Sequence, residues 1–238
     1  MLILGLNKTT LLDYPGFVAA TLFTGGCNFR CPYCHNRDLV LKDQSLVPLS
    51  EEEIFAFLQK RRNVLTGVCI TGGEPTLYPD LPEFISQIRE LGYLVKLDTN
   101  GTNPQMLGDL IRAGLIDYCA MDIKNAPDKY GVTTGFSTDH SAFDLTAVER
   151  SVQILMNQKR IPYEFRTTIV KELHDETDML AIARWISGAD AYFLQSYTDS
   201  SGVLCKGFHA HPDETLHAYA ALCRQFIPNT FLRGISEN

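Results

Sequence analysis

The chain has 238 residues, 45% of them apolar and 21% charged, and a formal net charge of −7. That length and balance suit one globular domain, 1–238, with a sizeable core. The acidic charge supplies no basic stripe for nucleic acid, and no apolar run reaches the roughly 20 residues of a membrane span, so neither nucleic acid nor membrane is an expected partner. Met1-Leu2-Ile3-Leu4-Gly5-Leu6 is too short for a secretion signal and lacks its basic flank. The seven cysteines are therefore expected to be reduced, in a cytoplasmic protein.

Asn7 to Gly16 carries turn signals and reads as a loop leading into the first strand. The apolar run Phe17 to Phe23 reads as a buried strand. Directly after it comes Gly25-Gly26-Cys27-Asn28-Phe29-Arg30-Cys31-Pro32-Tyr33-Cys34-His35-Asn36, then a polar connection to Pro48. Ser50-Glu51-Glu52-Glu53 is a capping box opening a helix with Ile54, Phe55, Phe57 and Leu58 on its apolar face. Val68 to Thr71 is a short buried strand that ends in Gly72-Gly73-Glu74-Pro75. Leu81, Phe84, Ile85, Ile88 and Leu91 recur at helical spacing. Leu94 to Gly101 is a strand running into a turn, and Asn103-Pro104 reads as N-cap and first residue of a helix that Gly114 ends.

A fourth strand runs from Asp117 to Lys124, followed by a loop rich in Gly, Thr and Ser to about His140. Leu145, Val148, Val152 and Leu155 mark a helix, and Tyr163 to Val170 is strongly β-biased. A helix around Asp178 to Ser187 turns Leu180, Ala183 and Ile186 inward. Ala191 to Tyr197 is the sixth strand, Pro212 to Arg224 the last helix, and Phe231-Leu232-Arg233 adds a short terminal strand.

Six strands alternating with helices argue for parallel βα units. A full eightfold barrel typically takes about 250 residues, so the expected fold is α/β, a partial (β/α)6 TIM-like barrel; an open doubly wound sheet fits the same count. Polar candidates at the C-terminal strand ends, namely the cysteines, Glu74, Asp98, Asp122, Arg166 and Gln195, favour the barrel.

Cys27, Cys31 and Cys34 have the spacing C-x3-C-x2-C. Three thiolates on a four-iron cluster leave one iron without a protein ligand, which is a place for chemistry. Zinc ribbons need two C-x2-C pairs, and this chain has no second pair. Cys69, Cys119, Cys205 and Cys223 are scattered and read as incidental thiols.

The loop resembles the radical S-adenosylmethionine (SAM) superfamily, whose cysteine signature carries an aromatic before its last cysteine, here Tyr33. Gly72-Gly73-Glu74-Pro75 resembles that superfamily's second signature. The resemblance implies the partial barrel of the radical SAM type, a [4Fe-4S] cluster on Cys27, Cys31 and Cys34, and SAM with its amino group at Gly72, Gly73 and Glu74. It also implies that a reduced cluster splits SAM to a 5'-deoxyadenosyl radical. Asp98-Thr99-Asn100 is similar to a stretch that lies beside SAM and contributes to a monovalent-cation site in pyruvate formate-lyase activating enzymes, and Asp122 with Lys124 matches an Asp-x-Lys there. Arg166 reads as a core-edge ion pair or as a contact to a carboxylate or substrate backbone. On strand six Gln195-Ser196-Tyr197 stands where those enzymes show Pro-aromatic-His with a ribose contact from the His, and Gln195 is the cofactor-binding candidate here.

Asp13-Tyr14-Pro15-Gly16, Cys34-His35-Asn36 and the small size together resemble the activating protein of anaerobic (class III) ribonucleoside-triphosphate reductase. This implies a glycyl-radical enzyme as protein substrate and a flavodoxin or ferredoxin-type reductant. Two other readings stay open: a small-molecule enzyme such as 7-carboxy-7-deazaguanine synthase, and a non-catalytic iron-sulfur or zinc module.

Overall fold

The computed structural model describes residues 1–136 and 143–235. Backbone packing divides the chain into two compact units. Met1–Asn28, Asp38–Ala120 and Gln158–Pro162 form the first; Phe29–Arg37, Met121–Asn157 and Tyr163–Asn238 form the second.

The first unit opens with strands β1 (Ile3–Thr10) and β2 (Ala19–Thr24), followed by a short helix α1 (Arg37–Leu41) and helix α2 (Glu51–Arg61). Strand β3 (Gly67–Gly72), helix α3 (Leu81–Glu90), strand β4 (Leu94–Thr99), helix α4 (Pro104–Arg112) and the start of strand β5 (Tyr118–Asp122) complete it. β1 runs antiparallel to β2, whereas β2, β3 and β4 are parallel neighbours. Residues 7–10 were expected in a loop and are instead strand. The β1–β2 register shifts between Ile3 and Gly5 and again between Asn7 and Thr10. Two such irregularities break the period-2 alternation that marks a strand in sequence.

The local rules hold elsewhere. Ser50 accepts from the Glu53 backbone N–H at 3.2 Å while Glu53 accepts from the Ser50 N–H at 2.9 Å, and α2 buries Ile54 and Leu58. Asn103 caps α4 by accepting from the Met106 N–H at 3.1 Å. Leu22, Val68, Ile70, Val95 and Leu97 are fully buried on the sheet, each side chain worth about 1.5–3 kcal/mol. The register sets Thr24 beside Gly72 and Ile70 beside Leu97. The segments that leave β2, β3 and β4 therefore emerge at one edge of the unit.

The second unit takes β5 onward, with α5 (Tyr130–Thr133), α6 (Thr146–Asn157), β6 (Tyr163–Ile169), α7 (Glu176–Trp185), β7 (Tyr192–Ser196), α8 (Asp213–Arg224) and β8 (Thr230–Arg233). β6, β7 and β8 are parallel neighbours. Part of the expected loop 125–140 is the helix α5, and residues 137–140 of it lie outside the described residues. α7 begins earlier than expected because Asp175 and Asp178 form a reciprocal capping box at 3.0 and 2.9 Å. Its buried stripe is accordingly Met179, Ile182 and Ala183, without Leu180. Glu164 is 0% exposed. Arg233, itself half-buried, grips both its oxygens at 2.9 and 3.1 Å, and this bidentate pair fastens β8 to the unit. Among the described residues no helix is long and apolar enough to cross a membrane.

Candidate functional site

In the first unit the site is built where β2, β3 and β4 end. Gly73 donates its N–H to the Thr24 carbonyl and Glu74 donates to the Gly26 carbonyl, both at 2.9 Å. A Cβ on Gly73 would overlap the Gly26 carbonyl, and one on Gly72, whose φ is +123°, would overlap the Thr24 backbone. The sequence suggests glycine here for close approach to a ligand. The structure shows a requirement within the chain itself: two backbone segments touch, with no room for a side chain between them.

Glu74 is 1% exposed. Its Oε1 accepts from the Thr76 N–H (3.1 Å), the Thr76 hydroxyl (2.6 Å) and the Thr99 hydroxyl (2.7 Å), and its Oε2 accepts from the Asn100 N–H (2.6 Å). Burial pushes the Glu74 pKa above the usual carboxylate value, against the pull of these donors. A carboxylate offers about four lone-pair directions, so Oε2 keeps room for a further donor.

Asn100, 4% exposed, carries the network on to the cysteine loop. Its Oδ1 accepts from the N–H (3.0 Å) and the hydroxyl (2.7 Å) of Thr102. Its Nδ2 donates to Asn28 Oδ1 at 2.8 Å and to Cys27 Sγ at 3.7 Å. Asn28 Nδ2 in turn donates to the Thr102 hydroxyl at 2.8 Å. Asp98 pairs with the ammonium of Lys96, which is 2% exposed. The sequence reading did not single out Lys96, Thr76, Thr102 or Asn28. For Lys96 a signal existed: in a strand, residues two apart share a face, so Lys96 and Asp98 sit together.

In the second unit the remaining ligand candidates are pinned by backbone bonds. Cys34 donates to the Cys31 carbonyl at 3.0 Å, Leu204 to the Cys34 carbonyl at 3.0 Å and Cys205 to the Pro32 carbonyl at 2.8 Å. Tyr33 is 4% exposed, and its hydroxyl is buried without a hydrogen-bond partner among the described residues. Burial raises its pKa well above the ordinary value.

Asp122, Lys124 and Arg166 are brought together. Arg166 reaches Asp122 Oδ1 through Nε at 3.0 Å and through a terminal nitrogen at 2.9 Å, and Lys124 Nζ donates to Oδ2 at 2.9 Å. Burial pushes the Asp122 pKa up, but Arg166 and Lys124 outweigh it and bring it down to about 2. The triad is steadied by His174. The Val170 N–H donates to its Nδ1 at 3.1 Å, so its Nε2 carries the proton and donates to the Lys124 carbonyl at 2.9 Å. Gln195, at the end of β7, is half-buried and makes no hydrogen bond to this triad among the described residues. The His35 ring lies against Tyr197, 5.3 Å between centres, and its Nδ1 is 3.4 Å from the Ser200 hydroxyl, which makes it a hydrogen-bonding loop residue.

Among the described residues no disulfide joins any cysteines, and no three His, Cys, Asp or Glu side chains are already gathered as a metal-binding group. Cys69, Cys119 and Cys223 are buried and Cys205 is exposed.

Comparison with known proteins adds to this geometry. The Radical SAM superfamily pattern matches residues 21–179. A protein of Methanocaldococcus jannaschii named "Putative glycyl-radical enzyme activating enzyme MJ1227" is 31% identical over 238 residues, 99% of this chain and 97% of that one. A second from the same organism, "Putative glycyl-radical enzyme activating enzyme MJ1632", is 28% identical over 171 residues, 71% of this chain and 63% of that one. Among solved structures, Streptococcus suis SuiB matches with a TM-score of 0.65 at 15% identity, over 90% of this chain and 48% of its own, a likeness of fold.

Proposed function

The chain belongs to the radical SAM superfamily and is an enzyme of that kind, and we propose that it activates a glycyl-radical enzyme by abstracting hydrogen from a glycine of that protein. Its cofactors are those of the family, a [4Fe-4S] cluster and SAM. The residues present fit them. Three thiols stand within eight residues with no disulfide engaging them. One acceptor position is left on the buried Glu74 carboxylate, and the Tyr33 hydroxyl is buried without a partner among the described residues. Together the bound cluster and SAM supply one-electron chemistry that produces a carbon radical able to take a hydrogen atom.

The chain's own residues hold and orient. Cys27, Cys31 and Cys34 are the proposed cluster ligands. Glu74 Oε2 is the proposed acceptor for the SAM ammonium, with Gly72 and Gly73 holding Glu74 in place. Thr99 and Asn100 fix that carboxylate from the β4 side. Tyr33, Asp98, Asp122, Lys124, Arg166 and Gln195 are proposed further cofactor contacts, and Asp98 the contributor to a monovalent-cation site. Lys96 already neutralises Asp98 in this structure. The proposed protein substrate is anaerobic ribonucleoside-triphosphate reductase, and the proposed electron donor a flavodoxin or ferredoxin-type protein.

The observation that carries this reading is the relative named as an activating enzyme, matched end to end. The test uses reconstituted, reduced protein with SAM and the partner enzyme deuterated at glycine Cα. Deuterium in the 5'-deoxyadenosine product is the expected result. If the protein partner yields none and a small-molecule substrate transfers its label, the activating role fails and the deazaguanine-type reading replaces it.

A further inference from the structure

We propose that Asn100 is a positioning residue that donates a side-chain N–H···S hydrogen bond to the ligand sulfur of Cys27 and so makes the cluster easier to reduce. The inference rests on the cluster being held by Cys27. Three observations carry it.

First, the orientation of the Asn100 amide is forced. Its oxygen end accepts from the Thr102 backbone N–H at 3.0 Å. A backbone N–H can only donate, so that end must be the oxygen. The other end is therefore the NH₂ group, and it faces Asn28 Oδ1 at 2.8 Å and Cys27 Sγ at 3.7 Å.

Second, the amide cannot swing away cheaply. The Asn100 backbone N–H is bonded to the buried Glu74 carboxylate at 2.6 Å. Its oxygen carries two bonds from Thr102, and Asn28 closes the ring through the Thr102 hydroxyl at 2.8 Å.

Third, ligation changes what the sulfur can do. As a thiol, Cys27 lies 3.9 Å from Asn28 Oδ1 in donor geometry. A ligand cysteine is a thiolate and only accepts, so the Asn100 N–H is the bond suited to the ligated state. Hydrogen bonds to cluster sulfurs are among the quantities that set reduction potential. A donor stabilises the more negatively charged, reduced cluster, so its loss makes reduction harder.

The experiment is an EPR-monitored redox titration of reconstituted wild type, Asn100→Ser and Asn100→Asp, with iron and sulfide content measured on the same samples. Asn100→Ser is expected to keep the cluster and to lower the reduced-to-oxidised ratio at fixed solution potential about tenfold, equivalent to about 59 mV for one electron. Asn100→Asp, which sets an oxygen against the sulfur, is expected to shift further in the same direction. A second measurement needs no variant: wild type labelled with ¹⁵N in its asparagine side chains should show a coupled amide nitrogen in the pulsed EPR of the reduced cluster. A full cluster with unchanged potential in Asn100→Ser, or no coupled nitrogen in wild type, overturns the inference and leaves the cluster assignment standing. Wild type that assembles no cluster overturns both.

Discussion

Replacing Glu74 by glutamine changes one atom in a buried network. The side chain keeps its shape, and an amide oxygen can still accept from Thr76 and Thr99. Its NH₂ group must then face the Asn100 N–H, donor against donor, where the native Oε2 accepts at 2.6 Å. A buried backbone donor left unsatisfied costs about 1–3 kcal/mol. Burial holds the Glu74 pKa up, so removing the charge recovers part of the desolvation cost and the loss should fall in the lower half, about 1–2 kcal/mol. For a chain of this size each kcal/mol moves the melting temperature by about 2–4 °C, so metal-free protein should melt roughly 2–8 °C lower. If Glu74 also receives the SAM ammonium, affinity should fall about ten- to a hundredfold, a charge-assisted bond being worth about 1.5–3 kcal/mol. Calorimetric melts under argon and isothermal titration of the reconstituted variant measure the two effects separately. A melting temperature within about 1 °C of wild type, together with unchanged affinity, would refute both the strut and the contact.

Single Cys→Ala variants at positions 27, 31 and 34 should each lose the cluster on anaerobic reconstitution, whereas those at Cys69, Cys119, Cys205 and Cys223 should keep it; iron content and cluster absorbance decide, and loss at Cys119 or Cys205 in a folded variant would contradict the ligand set. His174 is buried and held neutral, its pKa lowered below 6.5 chiefly by burial, with Asp178 and His211 as its titratable neighbours. The unfolded chain binds a proton there that the folded chain resists, so this contribution is complete above pH 6.5 and is lost as pH falls toward the folded value, by at most about 1.36 kcal/mol per pH unit. Urea melts across that range should show the slope in wild type and a shallower one in His174→Gln; equal slopes would remove His174 from the account.

Most of the fold was legible because its elements obey local rules. The capping box at Ser50 and the Asn103 cap announce α2 and α4 at the right residues. β1 is hidden in the sequence because its two register shifts break the alternation, and the early start of α7 because an Asp175–Asp178 box falls outside the Ser/Thr-x-x-Glu/Gln signature. Of the candidate site, cysteine spacing and the family resemblance single out Cys27, Cys31, Cys34 and Glu74 as candidates but not the partners of Glu74. Thr76 and Thr102 are unremarkable in sequence, and Asn28 is merely one residue inside a spacer. What makes them matter is the parallel register of β2, β3 and β4, a property of distant segments that no local window contains.

That register also brings together, within the first unit, the ends of β2, β3 and β4 from which the Glu74 network is built. A buried carboxylate would normally require a cation or protonation. Glu74 instead takes four hydrogen bonds from Thr76, Thr99 and Asn100, and the residue that supplies one of them, Asn100, also reaches Cys27. The acid and the sulfur are thus two ends of one bonded chain. The Glu74 turn and the segment leading into Cys27 also meet directly, the Glu74 N–H donating to the Gly26 carbonyl at 2.9 Å and Gly73 lying against that same carbonyl. Glycine at position 73 is therefore a condition for this arrangement, because a side chain there would overlap the Gly26 carbonyl and part the segments that Asn100 joins.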